Sequence, residues 1–371
     1  MPDSVTPDLV SRIGTAVADV FATEDVTIER EAPTTVRLRG RLLAAPETAY
    51  PLIAERLRKL GFTTLLTREE ERDVIRAIHG SMPDSRSRPW VAAILAVLTT
   101  LSVLYVGLGM GADDPQASFA TLVLGALPYA LGLMAILLAH ELGHYFVGRR
   151  LGVPMSLPYF IPLPINIFGT MGAFIRMKGP TSNRRRLIAM AAAGPLAGLI
   201  VAVPLLVIGL SLSDIRSTPV GPYISEGNSL LYIALKALVF GRFLPSGGED
   251  VWLHPLAFAG WAGLFVTSLN LIPAGQLDGG HIIYSLLGKR SKRLTYVILV
   301  VLVALDALNW ILHRQINGLS LFAALIFFMG RTHAVPLDDI TRLTPRQRVL
   351  GWFMMVILAL VFVPIPMIVV R

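Results

Sequence analysis

His140, Glu141 and His144 stand together in the run HELGH. Residues four apart on a helix share a face, so the two imidazoles project side by side and can bind one metal ion. The adjoining carboxylate suits hydrolysis. Two neutral imidazoles hold Zn²⁺, water at the ion loses its proton more readily, and the glutamate takes that proton as the water attacks a peptide carbonyl. The first cation beyond the motif is Arg149, about 13 Å along a helix from His140. Three ionisable groups at that depth in hydrocarbon are costly unless they are used. A polar cluster serving only helix packing is the bland alternative.

A zinc site needs a further protein ligand. No Glu occurs between Glu141 and Glu226, and Glu226 falls in a connection expected on the outer side, which argues against a glutamate ligand. The long three-histidine motif would need Gly at 147 and His at 150, where this chain has Val147 and Arg150. Asp278 remains, in NLIPAGQLDGGH, where an apolar segment is broken by Pro273, Gly275, Gly279 and Gly280. Broken backbone at membrane depth is tolerated where protein or water satisfies it, and such breaks mark binding positions. His281 follows three residues later and is expected beside the site, not as a ligand.

The elements that must hold these residues are membrane helices. The chain has 371 residues, 54% of them hydrophobic, and a mean hydropathy of +0.62, which excludes an ordinary soluble enzyme. Apolar runs cover Trp90 to Met110, Leu122 to Gly148, Leu187 to Leu210, Leu256 to Leu271, Leu294 to Leu312, Leu319 to Met329 and Val349 to Val370. They predict about seven crossings. The loop at 149–186 carries Arg149, Arg150, Arg176, Lys178, Arg184, Arg185 and Arg186 without an acid, and Lys289 to Arg293 is also basic. These loops belong inside, while Asp113, Asp114 and the 211–253 connection belong outside. A short apolar helix at Leu230 to Val239 is expected along the outer interface.

Residues 1–82 read as a small soluble α+β domain on the cytoplasmic side, with no secretory signal at its start. Helical patterns fall near Leu9 to Val20 and Glu47 to Leu60. In Thr35 to Leu42 apolar residues alternate with Arg37, Arg39 and Arg41, the period of a half-buried strand with one basic, solvated face. Residues 83–89 form a linker and 90–371 the membrane domain. Cysteine is absent, so neither disulfides nor thiolate ligands enter. The net charge of +8 sits largely in loops beside apolar runs, where it meets lipid and not nucleic acid. His79, His254, His313 and His333 read as surface residues.

Through HELGH, NLIPAGQLDGG and the AAAGPLAG stretch at Ala191 to Gly198, the sequence resembles the site-2 protease family of intramembrane zinc metalloproteases. The likeness spans about 122–288. The amino-terminal domain and the GTMGAF stretch resemble the plastid and bacterial branch of ethylene-dependent gravitropism-deficient proteins. The resemblance implies one Zn²⁺ per chain held by His140, His144 and Asp278, Glu141 as base, and Asn270 as a donor to the oxyanion, which a carboxamide can stabilise. It also implies a membrane-associated β-hairpin between Ser156 and Lys178, in which Pro158, Pro162 and Pro164 forbid a helix. Its stretch Gly169, Thr170, Met171 and Gly172 would receive an unwound substrate by β-addition. No PDZ-like insertion or CBS-type tail is evident.

The expectation is therefore a multi-pass protease in a prokaryotic plasma membrane that releases single-span or membrane-tethered proteins. A metal-binding or transport protein using the same ligands is the competing reading. Glu141 separates the two, because transport needs no carboxylate beside the first metal histidine whereas hydrolysis needs a base.

Overall fold

The computed structural model describes residues 6–29, 34–80, 88–111, 117–219, 221–315, 318–330 and 335–370. Most of the 83–89 linker, Asp113, Asp114 and His333 lie outside the described residues. The chain forms two compact units. One comprises residues 1–86, 178–187 and 334–347, and the other residues 87–177, 188–333 and 348–371.

In the first unit, α1 (Pro7–Val17) starts at Thr6, whose hydroxyl accepts from the Leu9 amide, with Pro7 supplying a helical φ where no N–H is needed. It is followed by β1 (Phe21–Ile28), β2 (Thr35–Leu42), α2 (Pro46–Lys59), β3 (Phe62–Glu69) and β4 (Arg72–His79). The strands form an antiparallel sheet in the order β1-β2-β4-β3. Ile13 and Val17 of α1 and Ile53 and Leu57 of α2 close a core over Leu38, Leu66 and Ile75. The strand expected at Thr35 to Leu42 has those bounds. Its basic face is not simply solvated, since Arg37 bonds Glu69 at 2.7 Å and that carboxylate also takes Arg76 at 2.6 Å.

Two distant segments complete this unit. The Leu66 amide of β3 donates to the Leu337 carbonyl at 2.7 Å and the Asp339 amide returns to the Leu66 carbonyl at 3.0 Å. On its other side the same stretch donates from Leu337 and Asp338 to the Thr181 and Ser182 carbonyls at 2.9 and 2.7 Å. Leu337 and Ile340 pack on the core. Arg184 bonds the buried Asp339 at 2.7 Å, and Arg185 pairs with Glu47 of α2. At Leu66 the open edge of β3 is thereby paired with the chain's own backbone.

The second unit holds α3 (Pro89–Leu108), α4 (Phe119–Arg150), β5 (Tyr159–Pro162), β6 (Thr170–Phe174) and most of α5 (Arg184–Ser211). Next come β7 (Asp214–Ser217), β8 (Tyr223–Glu226), α6 (Leu230–Phe240), β9 (Glu249–Trp252) and α7 (Pro255–Leu271). The chain continues through α8 (Asp278–Leu287), α9 (Ser291–His313), α10 (Leu319–Gly330), most of α11 (Pro345–Val361) and β10 (Met367–Val370). Among the described residues, four helical stretches are long and apolar enough to cross a membrane: α3, α4, α5 and the run from Asp278 to His313. The helices α6, α7 and α10 are apolar but shorter.

The last apolar run, expected as one segment to Val370, breaks after Val361. Pro364 and Pro366 cannot donate to a helix, and the chain turns into β10, which pairs antiparallel with β8. The segments β5 and β6 form an antiparallel pair, as do β7 and β9.

Candidate metal centre

The helix α4 runs through 32 residues and buries His140, Glu141 and His144 on the face it turns to α5 and α7. The third donor, Asp278, comes from the break that follows α7. Gly275 takes a left-handed φ of 58°, and the chain re-enters a helix with Asp278 as the first residue of α8, where the helix dipole favours a carboxylate. Gly279 is required here, because a Cβ at that position would overlap the Leu271 carbonyl and sit 2.7 Å from that of Ile272.

Three atoms then meet in a small triangle. His140 Nε2 and His144 Nε2 are 3.2 Å apart, and Asp278 Oδ2 is 3.2 Å from each. A tetrahedral shell with ligands at about 2.0–2.1 Å has edges of about 3.3 Å, so the spacing is that of three ligands around one ion. The hydrogen bonding points the same way. His144 Nδ1 donates to the Met190 carbonyl of α5 at 2.8 Å, which leaves Nε2 as the lone-pair nitrogen of the neutral ring. With the ring neutral, that nitrogen and a carboxylate oxygen face each other as two acceptors inside the protein. A cation between them resolves the conflict, so the residues present fit a divalent metal.

Around the triangle, Asn270 near the end of α7 brings its Nδ2 to 3.5 Å from His140 Nε2. Glu141 is 4% exposed, and its Oε2 has no hydrogen-bond partner among the described residues. His281 lies one turn beyond Asp278 and outside the three-atom group.

Sequence reasoning missed two features that place the histidines. One is the Met190 carbonyl, which no side-chain pattern reports. The other is Gly194, whose Cβ would come within 2.5 Å of Cδ2 and Cε1 of His144. The signal lay in AAAGPLAG, since small residues let membrane helices approach closely. Gly143 of α4 meets the same face of α5, where a Cβ would stand 2.9 Å from that of Ala197.

The stretch Gly169 to Gly172 lies at the start of β6, which packs on α4. Gly169 has a φ of 75°, and a Cβ there would fall 2.7 Å from the Val103 backbone. Its carbonyl accepts from Ser102 at 2.6 Å and the Phe168 carbonyl from Tyr129 at 2.9 Å, two anchors on α3 and α4 that the sequence did not announce. Met171 is largely exposed.

With this geometry in place, the comparison with known families is direct: the model of peptidase family M50 matches residues 128–305, which include all three donors and Glu141. Residues 128–305 are an M50, or site-2 protease, domain. The chain is 30% identical over 362 residues to the protein named probable zinc metalloprotease EGY2, chloroplastic, of Arabidopsis thaliana, covering 93% of this chain and 63% of that protein. The Arabidopsis thaliana protein named probable zinc metalloprotease EGY1 is 32% identical over 255 residues, 65% of this chain and 43% of its own. Its namesake from Oryza sativa subsp. japonica is 35% identical over 173 residues, 44% and 28% of the two chains. This chain thus spans at most about three fifths of the length of the curated relatives it matches. No solved structure matches it.

Proposed function

We propose that this protein is a zinc metalloendopeptidase that cleaves membrane-tethered proteins within or at the edge of the bilayer. The observation that carries this reading is the 3.2 Å triangle of His140, His144 and Asp278 on the helix that also buries Glu141. The names of the relatives support zinc as the ion. Bound by these three residues, zinc would supply a Lewis acid that makes water more acidic and a carbonyl more electrophilic.

The chain's own groups do the rest. Glu141 Oε2 has a free lone pair in a buried site and takes a proton from the attacking water. As the water oxygen bonds the carbonyl carbon and the C–N bond breaks, Glu141 hands the proton to the leaving nitrogen. Asn270 donates its amide N–H to the carbonyl oxygen as that oxygen gains charge. Met190 holds the His144 ring in one tautomer throughout. An extended substrate would lie along the 169–172 stretch, whose neighbours Ser102 and Tyr129 fix the hairpin.

The same reading includes seven crossings, formed by α3, α4, α5, α7, the α8–α9 run, α10 and α11. Even numbers of these separate residues 1–86, 178–187 and 334–347, which fold in one unit and so share a side. Arg184, Arg185, Arg186 and Arg342 mark that side as the inner one.

The deciding experiment compares the native protein with Glu141→Gln on a panel of single-span substrates in detergent. The amide is nearly isosteric but accepts no proton, so cleavage should fall about 10²- to 10⁴-fold with zinc and melting temperature unchanged. A variant that keeps its zinc and cuts at the native rate would overturn the mechanism and reopen the transport reading.

A further inference from the structure

The catalytic reading does not use a charged cluster at the far end of α5. From Gly194, beside His144, to Ser211 is seventeen residues, about 25 Å along the helix, and β7 begins three residues later. There, Glu226 of β8 accepts from the Tyr232 hydroxyl at 2.9 Å. Lys236 is 1% exposed, with its Nζ 3.9 Å from Asp250 and 4.6 Å from the centre of the Tyr232 ring. Arg216 pairs with Asp214 at 2.9 Å and Arg242 with Glu249 at 2.7 Å. Three cations, Arg216, Lys236 and Arg242, thus stand among four acids, Asp214, Glu226, Glu249 and Asp250. Glu226 is the acid whose bonded partner is neutral. Burial pushes its carboxyl up, with Lys236 offsetting part of that.

Glu226 also stands at the junction of two cavities. One, of about 350 Å³, has apolar walls that include Met110, Ile167, Phe258 and Met367. The other, of about 60 Å³, is polar and is lined by Arg216, Ser217, Thr218 and Asp250. Tyr223, Ile224, Glu226, Val251 and Trp252 line both, so the two adjoin. Ile224 is 62% exposed and Trp252 44% exposed beside the mouth. An apolar chamber beside a small chamber with the Arg216 guanidinium at one side and the Glu226 and Asp250 carboxyls at the other is complementary to one kind of molecule. That molecule has an acyl chain, a phosphate and an ammonium group.

We propose that this paired cavity binds a phospholipid with a primary amine in its headgroup, its ammonium on Glu226 and Asp250, its phosphate on Arg216 and its acyl chain along Ile224, Phe258 and Met367. Carboxylates accept hydrogen bonds, so a primary ammonium with three N–H donors is favoured over a quaternary one with none. The site goes beyond proteolysis and does not depend on it.

The test uses the full-length protein in detergent, titrated with phosphatidylethanolamine, phosphatidylcholine or phosphatidylglycerol of the same acyl chains, with occupancy read by native mass spectrometry and melting temperature. Phosphatidylethanolamine should bind best, and Glu226→Gln should weaken it about tenfold, as expected for loss of a charge-assisted hydrogen bond. Arg216→Gln, at an exposed position that should leave folding intact, should weaken it as well. Zinc content and the melting temperature in phosphatidylcholine should stay native in both variants. Equal binding of the three lipids, or a preference for phosphatidylethanolamine that survives Glu226→Gln, would overturn the proposal. So would displacement of the bound lipid by a lysine-bearing transmembrane peptide at stoichiometric concentration, which would make the cavity a peptide site.

Discussion

Gly194 and His144 touch with no room for a side chain between them. A Cβ on Gly194 would lie within 2.5 Å of two ring carbons and nearer still to Nε2, the atom that faces His140 and Asp278. The backbone of α5 is thus one wall of the metal centre, and the Met190 carbonyl, one turn earlier, fixes the ring that this wall supports.

Gly194→Ala should therefore cost metal before it costs fold. The ring must tilt off the Met190 carbonyl or the helices must part, and zinc affinity should drop at least about 100-fold, the upper range for loss of a partner that orients a ligand. Zinc per chain and helix content by circular dichroism, measured on the same sample, check this. Full zinc occupancy in the variant would show that the wall yields without harm.

Asp278→Ala removes the anionic member of the triangle, and zinc occupancy should collapse under dialysis against a mild chelator while helix content persists. Loss of a charged ligand weakens binding strongly because metal affinity rests on deprotonated donors. Near-unit zinc in the variant would take Asp278 out of the ligand set.

Asn270→Ala should keep zinc, since its amide is 3.5 Å from His140 Nε2 and outside the three-donor group. Turnover should fall about 10²- to 10³-fold, the usual loss for one oxyanion donor. Single-turnover cleavage of a solubilised substrate is the measurement. An equal loss of zinc would instead mark Asn270 as a support for the metal histidine.

Asp339→Ala tests the joint that closes the first unit. The carboxylate is buried and its partner Arg184 is only partly exposed, so removing the acid should destabilise the unit by about 3 kcal/mol. Limited proteolysis should then cut within 178–187 or 334–347 well before it cuts the second unit. Unchanged digestion would mean that the backbone bonds to Leu66 hold the segments by themselves.

Sidedness can be read in this cysteine-free chain by introducing single cysteines and adding an impermeant thiol reagent to intact cells. A cysteine at 183 should stay unlabelled and one at 218 should react. Labelling at 183 from outside would reverse the orientation.

Much of the site was readable in the sequence because its parts are locally encoded. HELGH needs only a helix to set two imidazoles on one face, and NLIPAGQLDGG declares a break through its Pro and Gly content. The β2 strand was equally plain, since a period of two over eight residues has no helical reading. The end of the last apolar run was misjudged because hydropathy does not distinguish a helix from a strand. The bond from β10 to β8 joins residues too far apart for any periodic signal.

By itself, then, the sequence determined the apolar helices, the two motifs and the type of chemistry they allow, all of which follow from side-chain type and short spacing. Only the tertiary structure decided that Asp278 reaches across 134 and 138 residues to complete a triangle with His144 and His140. It also decided that a main-chain carbonyl at Met190 sets the tautomer, and that residues 178–187 and 334–347 finish the amino-terminal fold. The physical reason is the same in each case. These relationships are made by backbone atoms and by close approach of helices, which depend on where distant segments pack and leave no period in the chain.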